Sequence, residues 1–236
     1  MPAVHGKKFK QNILYDLEPL NHELNFISSN ADSVTIGSMS RLSDIVENKT
    51  VIAHLPQLVK AINSIGSSQI RSMATLAGNV ANASPVADSI PVLITTDTLV
   101  HSISIKGERS IPINDFFIDY KKTSLAKNEI IKAITIPFNK LGGKYDFYKV
   151  ATHQDTDISK INLAYSIEPE STRFAAGGVS KMVVRLRALE KAWSSQLTVM
   201  QIRDLIAKDI SPISDIRSTS EYRETTLSNL LFSLCN

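Results

Sequence analysis

Residues 66–89 read GSSQIRSMATLAGNVANASPVADS, and the rest of the 236-residue chain is best read outward from them. The stretch is dense in Gly, Ser, Thr and Asn, with almost no charge in its middle. Small residues let backbone approach a ligand closely, and Gly permits the turns that aim several N–H groups at one point. Thr75, Asn79, Asn82 and Ser84 add short donors and acceptors. Asp88 adds a carboxylate just before an apolar run, Ile90–Ile94. Such a loop suits a phosphate or the polar edge of a cofactor. It is also what an ordinary polar connection looks like, because Gly-rich loops are weakly diagnostic.

Composition narrows the setting. Hydrophobic residues make up 43% of the chain, enough for one large core or two modest domains. The net charge is +3 and the basic residues are scattered, which argues against a nucleic-acid surface. No apolar run approaches the ~18 residues of a membrane-spanning helix. The opening MPAVHGKKFKQN has no apolar core behind it and does not read as a secretory signal. The one cysteine, Cys235, allows neither an internal disulfide nor a four-thiolate iron–sulfur cluster from this chain alone. A cytoplasmic location is the expectation.

Upstream of the loop, Lys10–Leu17 reads as a short strand or lead-in. Leu24–Ile27 and Val34–Ile36 alternate around Asn30-Ala31-Asp32, which predicts a hairpin. Ser40 is placed to cap a helix over Arg41–Glu47. Pro56 opens a helix carrying Leu58, Val59, Ile62 and Ile65, which delivers the chain to the loop.

Downstream, Ala87–Thr95 reads as a helix. Leu99–Ile105 reads as a strand, with Leu99, His101, Ile103 and Ile105 on one face. Lys106-Gly107-Glu108 supplies the turn to Arg109–Ile113, and Glu129–Pro137 is a further strand. Leu141-Gly142-Gly143 marks the boundary between a domain over 1–140 and another over 144–236. The second shows strands at Lys144–Thr152, Asn162–Ile167 and Arg173–Ala176. Helices follow at Val184–Trp193, from a Thr198 cap to Lys208, and at Glu221–Leu234. Three strands and then three helices predict an α+β unit with a core of its own. That core draws on Tyr148, Ile161, Leu163, Leu189, Ile202 and Leu227, among others.

No catalytic cluster emerges. There is no defensible Ser–His–Asp order and no carboxylate pair in a supporting context. His153-Gln154-Asp155-Thr156-Asp157 lacks the regular spacing and closing Glu of a calcium loop, so a solvated turn is the better reading. Absent side-chain chemistry fits a protein whose cofactor carries the reaction.

The loop residues Gln69-Ile70-Arg71, Thr75-Leu76, Gly78-Asn79 and Asn82–Ser89 resemble the flavin-contacting segment of the molybdenum hydroxylase FAD-binding domain. This is the family of xanthine dehydrogenase and carbon monoxide dehydrogenase flavoprotein subunits. Further blocks match in order: Ile36-Gly37-Ser38 with Asp44-Ile45, Tyr120–Thr123, Glu129-Ile130-Ile131, Tyr148-Lys149 with Asp157-Ile158, Gly177-Gly178, and Ser218–Arg223 (STSEYR). The chain resembles most the carboxy-terminal part of a bacterial xanthine dehydrogenase small subunit.

The resemblance implies an α+β fold: an incomplete PCMH-type FAD-binding domain followed by a three-stranded, helix-packed domain like the CO dehydrogenase flavoprotein carboxy-terminal domain. It implies FAD lined by Thr75, Leu76, Ala77, Gly78, Asn79, Asn82 and Ser84. Asp88 would accept a cofactor hydrogen bond, Ile65 and Ile131 would form apolar walls, and Lys149 would sit at the polar edge. It implies NAD as electron acceptor, with molybdopterin and [2Fe–2S] clusters on other segments or subunits. The partners would then be a molybdopterin-binding large subunit and an iron–sulfur segment or subunit, in a xanthine-oxidising enzyme of purine catabolism.

Departures from the family pattern are Ala77 for a customary Gly, His153 for an Arg, and Ser180–Val183 for a Thr-Pro turn. The family's amino-terminal unit, whose Gly-rich loop holds the FAD pyrophosphate, has no counterpart in this sequence. Two readings follow from that. The chain is a FAD component that is inactive alone, or it is a truncated, non-catalytic remnant or interface module that binds no FAD.

Overall fold

The computed structural model describes residues 14–153 and 156–235. Half of the proposed lead-in, residues 10–13, and the segment before it lie outside these; Leu14–Leu17 has no regular structure. A 3-10 turn at Glu18–Leu20 leads into α1 (Asn21–Leu24). The predicted hairpin is present as β1 (Ile27–Ser29) and β2 (Ser33–Gly37), antiparallel, with Ile27 opposite Ile36. Asn30 fixes its turn, its side-chain Oδ1 accepting the N–H of Asp32 and of Ser33. Leu24 belongs to the preceding helix rather than to the strand.

Five helices then build one layer: α2 (Leu42–Glu47), α3 (Lys49–His54), α4 (Pro56–Asn63), α5 (Ser68–Arg71) and α6 (Leu76–Ala81). Pro56 occupies the first turn of α4, where its missing N–H costs nothing. Ser40 does not cap α2. Its hydroxyl donates to the Phe26 carbonyl at 2.8 Å, pinning β1 to the helical layer, and Arg41 holds the cap position without a side-chain bond.

Next come α7 (Ser89–Thr95), β3 (Leu99–Ser104), β4 (Gly107–Pro112), α8 (Ile113–Phe116), β5 (Phe117–Asp119), β6 (Lys122–Thr123) and β7 (Ile130–Pro137). The hairpin register pairs Ser104 with Gly107, so Ile105 and Lys106 form the turn and Gly107 already lies in the strand. The first sheet is antiparallel throughout, in the order β1-β2-β7-β3-β4. In β3 the buried face is Val100 and Ser102, while Leu99 and Ile105 are exposed. The alternation was correctly read, but the core lies on the other face. On the outer face His101 joins three strands through hydrogen bonds to Ser110 and Thr135, each 2.8 Å, and Thr135 reaches Thr35 at 2.9 Å.

The second sheet contains β8 (Lys144–Val150), β9 (Ile161–Ile167), β10 (Thr172–Gly177) and a two-residue fourth strand, β11 (Val184–Arg185), in the order β11-β10-β9-β8. The start of the helix read at Val184 is therefore this strand, and α9 spans Arg187–Ala192. Next, α10 (Val199–Ile206) carries a full capping box of Thr198 and Gln201. The last helix, α11 (Ser220–Ser233), is capped by Thr219.

The two faces of this sheet meet different cores. Ile161, Leu163, Phe174 and Ala176 pack with Leu189, Ile202, Leu227 and Leu231 of the following helices. Phe147, Ala164 and Ala175 belong to the first core; β9 and β10 meet α7, and β8 meets α4. Ala164 pairs with both Ala175 and Phe147 across the ladder, so two methyl groups lie side by side and let a helix approach closely. All seven residues of α7 are buried. A helix apolar on every side is one enclosed on every side, and each of Ile90, Leu93 and Ile94 contributes about 1.5–3 kcal/mol by leaving water.

Candidate functional site

Helix α6 distributes its side chains three ways. Leu76 and Val80, four residues apart, point into the core. Thr75, Ala77, Gly78 and Ala81 line a first hollow of about 310 Å³, together with Ser38, Ile131 and Glu129. Asn79 and Asn82 line a second hollow of about 300 Å³ with Ile65, Ser84, Asp88 and Lys149. Apart from Leu76, which lines neither, every site residue expected from the sequence borders one of the two.

The first hollow is built within the amino-terminal unit. Thr75 caps α6, its hydroxyl accepting the Gly78 N–H at 3.0 Å. A Cβ at Gly78 would meet only the Thr75 hydroxyl, at 3.1 Å, so this glycine keeps the hollow open. Ile131, from β7, is 6% exposed and forms an apolar wall. Ser38 is buried and its hydroxyl has no partner. Glu129 accepts both Nε and Nη2 of Arg109 at 2.6 Å and the Ala126 N–H at 2.7 Å. Those bonds, the Arg109 guanidinium foremost, hold its carboxyl down at about 2.

The second hollow lies between the segments at 65–66 and 79–88 and the strand β8 with the turn after it. Asp88 is its centre. Its Oδ2 accepts the Lys149 ammonium at 2.9 Å, and its Oδ1 accepts the Ser159 hydroxyl at 2.5 Å and the Asn162 amide at 2.8 Å. Lys149 also donates to the Ser64 carbonyl at 2.7 Å. The Lys149 and Asp88 side chains are only 12% and 8% exposed, so this is a desolvated pair with most of its valences met. Asn79 accepts the Ser89 hydroxyl at 2.6 Å and thereby ties α6 to α7. Between Asn82 and Ser84, Ala83 takes φ 47°, a left-handed conformation that costs a non-glycine residue about 1–2 kcal/mol.

Ser38, Glu129, Ser159 and Asn162 complete the site but were not among the residues read as its lining. Ser38 and Glu129 stood inside matched sequence blocks. Asn162, a polar residue in the apolar run INLAYSI, carried the only local signal; Ser159 carried none. Of the departures, Ala77 is accommodated in the wall of the first hollow. His153 is exposed and pairs with Asp157 at 3.5 Å. Met182 and Val183 fill the first core.

The residues present fit a flavin dinucleotide in its uncharged parts. Apolar walls flank both hollows, and amide and hydroxyl groups suited to a ring edge or to ribityl and ribose hydroxyls line them. Ser38 and Gly78 both line the first hollow, and the buried Ser38 hydroxyl has no partner among the described residues. Among the described lining residues the only lysine or arginine is Lys149, whose charge Asp88 already balances. The cofactor's pyrophosphate therefore meets no unpaired lysine or arginine among the described lining residues.

Residues 3–139 match the family model for the FAD binding domain in molybdopterin dehydrogenase, and residues 146–236 match that for the CO dehydrogenase flavoprotein C-terminal domain. The chain belongs to this family of flavoprotein components of molybdenum hydroxylases. It is 30% identical to the glyceraldehyde dehydrogenase medium chain of Sulfolobus acidocaldarius over 94% of this chain and 82% of that protein. It is 30% identical to the xanthine dehydrogenase FAD-binding subunit of Escherichia coli O157:H7, over 81% of this chain and 69% of that one. The nicotine 6-hydroxylase medium subunit of Paenarthrobacter nicotinovorans is 30% identical, over 85% and 73%. In fold, the chain superposes on a carbon monoxide dehydrogenase chain from Hydrogenophaga pseudoflava with TM-score 0.82 at 23% identity, covering 90% of this chain and 77% of that one. No helix among the described residues is long and apolar enough to cross a membrane.

Proposed function

We propose that this chain is the FAD-holding component of a xanthine dehydrogenase-like molybdenum hydroxylase. The observation that carries the reading is the pair of hollows sharing α6, lined by Thr75, Gly78 and Ile131 on one side and Asn82, Ser84, Asp88 and Lys149 on the other. Bound there, FAD supplies the chemistry of accepting electrons from iron–sulfur clusters and delivering a hydride to NAD. The chain's own residues bind and orient: the amides and hydroxyls hold the cofactor's polar groups, Ile65 and Ile131 exclude water, and the Asp88–Lys149 pair fixes the far wall. A molybdopterin-binding large subunit and an iron–sulfur segment or subunit are the partners in this reading, and the cytoplasm is its location.

For the substrate we carry forward xanthine-type purine oxidation. The relatives are named for an aldehyde, a purine and an alkaloid, and the substrate is chosen on the molybdenum-bearing partner, so the hollows of this chain do not discriminate among them. We also divide the chain at Leu141–Gly143, where Leu141 is fully exposed and Gly142 takes φ 82°. Titration of the purified chain with FAD, followed by flavin absorbance and fluorescence, tests the reading. A saturable perturbation of the flavin spectrum is expected; no change at millimolar FAD would overturn it.

A further inference from the structure

The STSEYR segment ends in an arginine that the site does not use directly. Arg223, on α11, is 2% exposed. Its Nη1 donates to two carbonyls, those of Lys160 and Gly178, the latter at 2.7 Å. Its Nη2 donates to Asp215 Oδ1 at 2.8 Å, while Nε has no partner. Asp215 is itself oriented by the N–H groups of Arg217 and Ser218, at 2.9 and 3.1 Å.

One carbonyl belongs to a residue that touches the cofactor loop, and the other to a residue flanked by two that do. Gly178 donates its N–H to the Pro85 carbonyl at 2.7 Å, inside the Asn82–Asp88 loop. Its φ of +78° requires glycine, and a Cβ there would lie 2.2 Å from the Lys160 carbonyl. Gly177 is closed off in the same way, since a Cβ would lie 2.3 Å from Asn162 Oδ1 and 2.9 Å from the Pro85 carbonyl. Lys160 lies next to Ser159, a donor to Asp88, and two residues before Asn162, another. One buried guanidinium therefore clamps together the two backbone segments that present Gly178 to Pro85 and Ser159 and Asn162 to Asp88.

We propose that Arg223 is a positioning residue for the cofactor loop, fixing Asn82–Asp88 from the last helix through Gly178 and Lys160. The proposal rests on the FAD reading for its consequence but not for its geometry. A lysine keeps the charge and loses the planar fork that reaches two carbonyls and a carboxylate together. In Arg223→Lys the loop should open locally.

Hydrogen exchange of the full chain, read by mass spectrometry on peptides covering residues 82–88, measures that opening without any cofactor. The comparison is Leu227→Ala, which damages the second core beside Arg223 but touches none of these carbonyls, with urea used to match overall stability. At least tenfold faster exchange of the 82–88 peptides in Arg223→Lys than in Leu227→Ala is expected; equal rates would overturn the proposal. Asp215→Asn leaves Arg223 in place and removes the carboxylate that aligns it. It should accelerate the same peptides to a smaller extent, and it decides the question if Arg223→Lys does not fold: unchanged exchange there would overturn the proposal. FAD titration of wild type and variants separates the two ideas. Wild type that takes up no FAD contradicts the cofactor reading, while the exchange comparison still judges Arg223.

Discussion

The two hollows beside α6 are nearly equal in volume and opposite in construction. The first is local: Thr75, Gly78, Ser38 and Ile131 all precede residue 140, and among the buried side-chain polar atoms of its described lining the Ser38 hydroxyl alone has no partner. The second is shared: Asp88 comes from one unit, and Lys149, Ser159 and Asn162 come from the other. Its polar groups are largely satisfied before any ligand arrives. Substitutions in the second hollow should therefore disturb the docking of the two units, and those in the first should disturb ligand affinity alone.

The largest effect is expected at Asp88. Asp88→Ala leaves the buried Lys149 ammonium without its counter-charge, a change that typically costs about 3–5 kcal/mol. Urea unfolding should show that loss, and flavin retention should fall with it. Asp32→Ala, on an exposed turn, should stay within about 0.5 kcal/mol of wild type. If the two variants retain flavin equally, Asp88 is no part of the site.

Gly78→Ala comes next. It gains helix propensity of up to ~1 kcal/mol and crowds the Thr75 hydroxyl, so stability should barely move. The added methyl should weaken FAD binding roughly tenfold, about 1.4 kcal/mol, in equilibrium dialysis. Ser38→Ala should cost about 1 kcal/mol of FAD affinity, because a hydroxyl in the hollow's lining with no protein partner among the described residues is removed. Folded stability should stay level or rise slightly. A stability loss in Ser38→Ala without an affinity loss would erase the contrast between the hollows.

The smallest effect lies outside both, on the outer face of the first sheet. Burial in the sheet lowers the His101 pKa below its ordinary 6.5, with Glu108 opposing and Lys132 assisting. Between that lowered value and 6.5 the unfolded chain binds more protons, so stability should fall as pH drops through this window. His101→Gln should flatten the dependence in thermal melts taken from pH 7.5 to 5.

Much of this was legible in the sequence because local signals agreed with the global fold. The Asn30-Ala31-Asp32 turn and the Thr198 cap each satisfy a nearby backbone N–H, and Pro56 stands in the first turn of α4, where no N–H is needed; the part of Gln201 in the capping box is added by the structure. Ser40 was misread because its hydroxyl found a long-range carbonyl, that of Phe26, in place of a helix N–H. The alternation in β3 leaves open which face is buried; the core takes Val100 and Ser102, while Leu99 begins the strand and Ile105 lies in the turn after it, where apolar side chains meet solvent. Most of the site lining was legible by resemblance. Its internal wiring was not: Ser159, Asn162 and Lys149 converge on Asp88 from residues 61 to 74 positions away. Nor does periodicity show that Phe147, Ala164 and Ala175 of the second sheet complete the core of the first unit. That shared face bears on the proposed boundary. A fragment over 144–236 has the helix-covered core expected of it, but it would leave this second face open.

The most direct test is equilibrium dialysis of FAD against the intact chain at low and high ionic strength. Among the described residues the hollows offer walls, amides and hydroxyls, and no unpaired lysine or arginine for the pyrophosphate. The account therefore predicts weak, saturable binding whose dissociation constant hardly changes with salt, since only exposed charge pairs are strongly screened. Tight, stoichiometric binding that salt abolishes would contradict it, because the cofactor would then be held by charges that neither hollow contains.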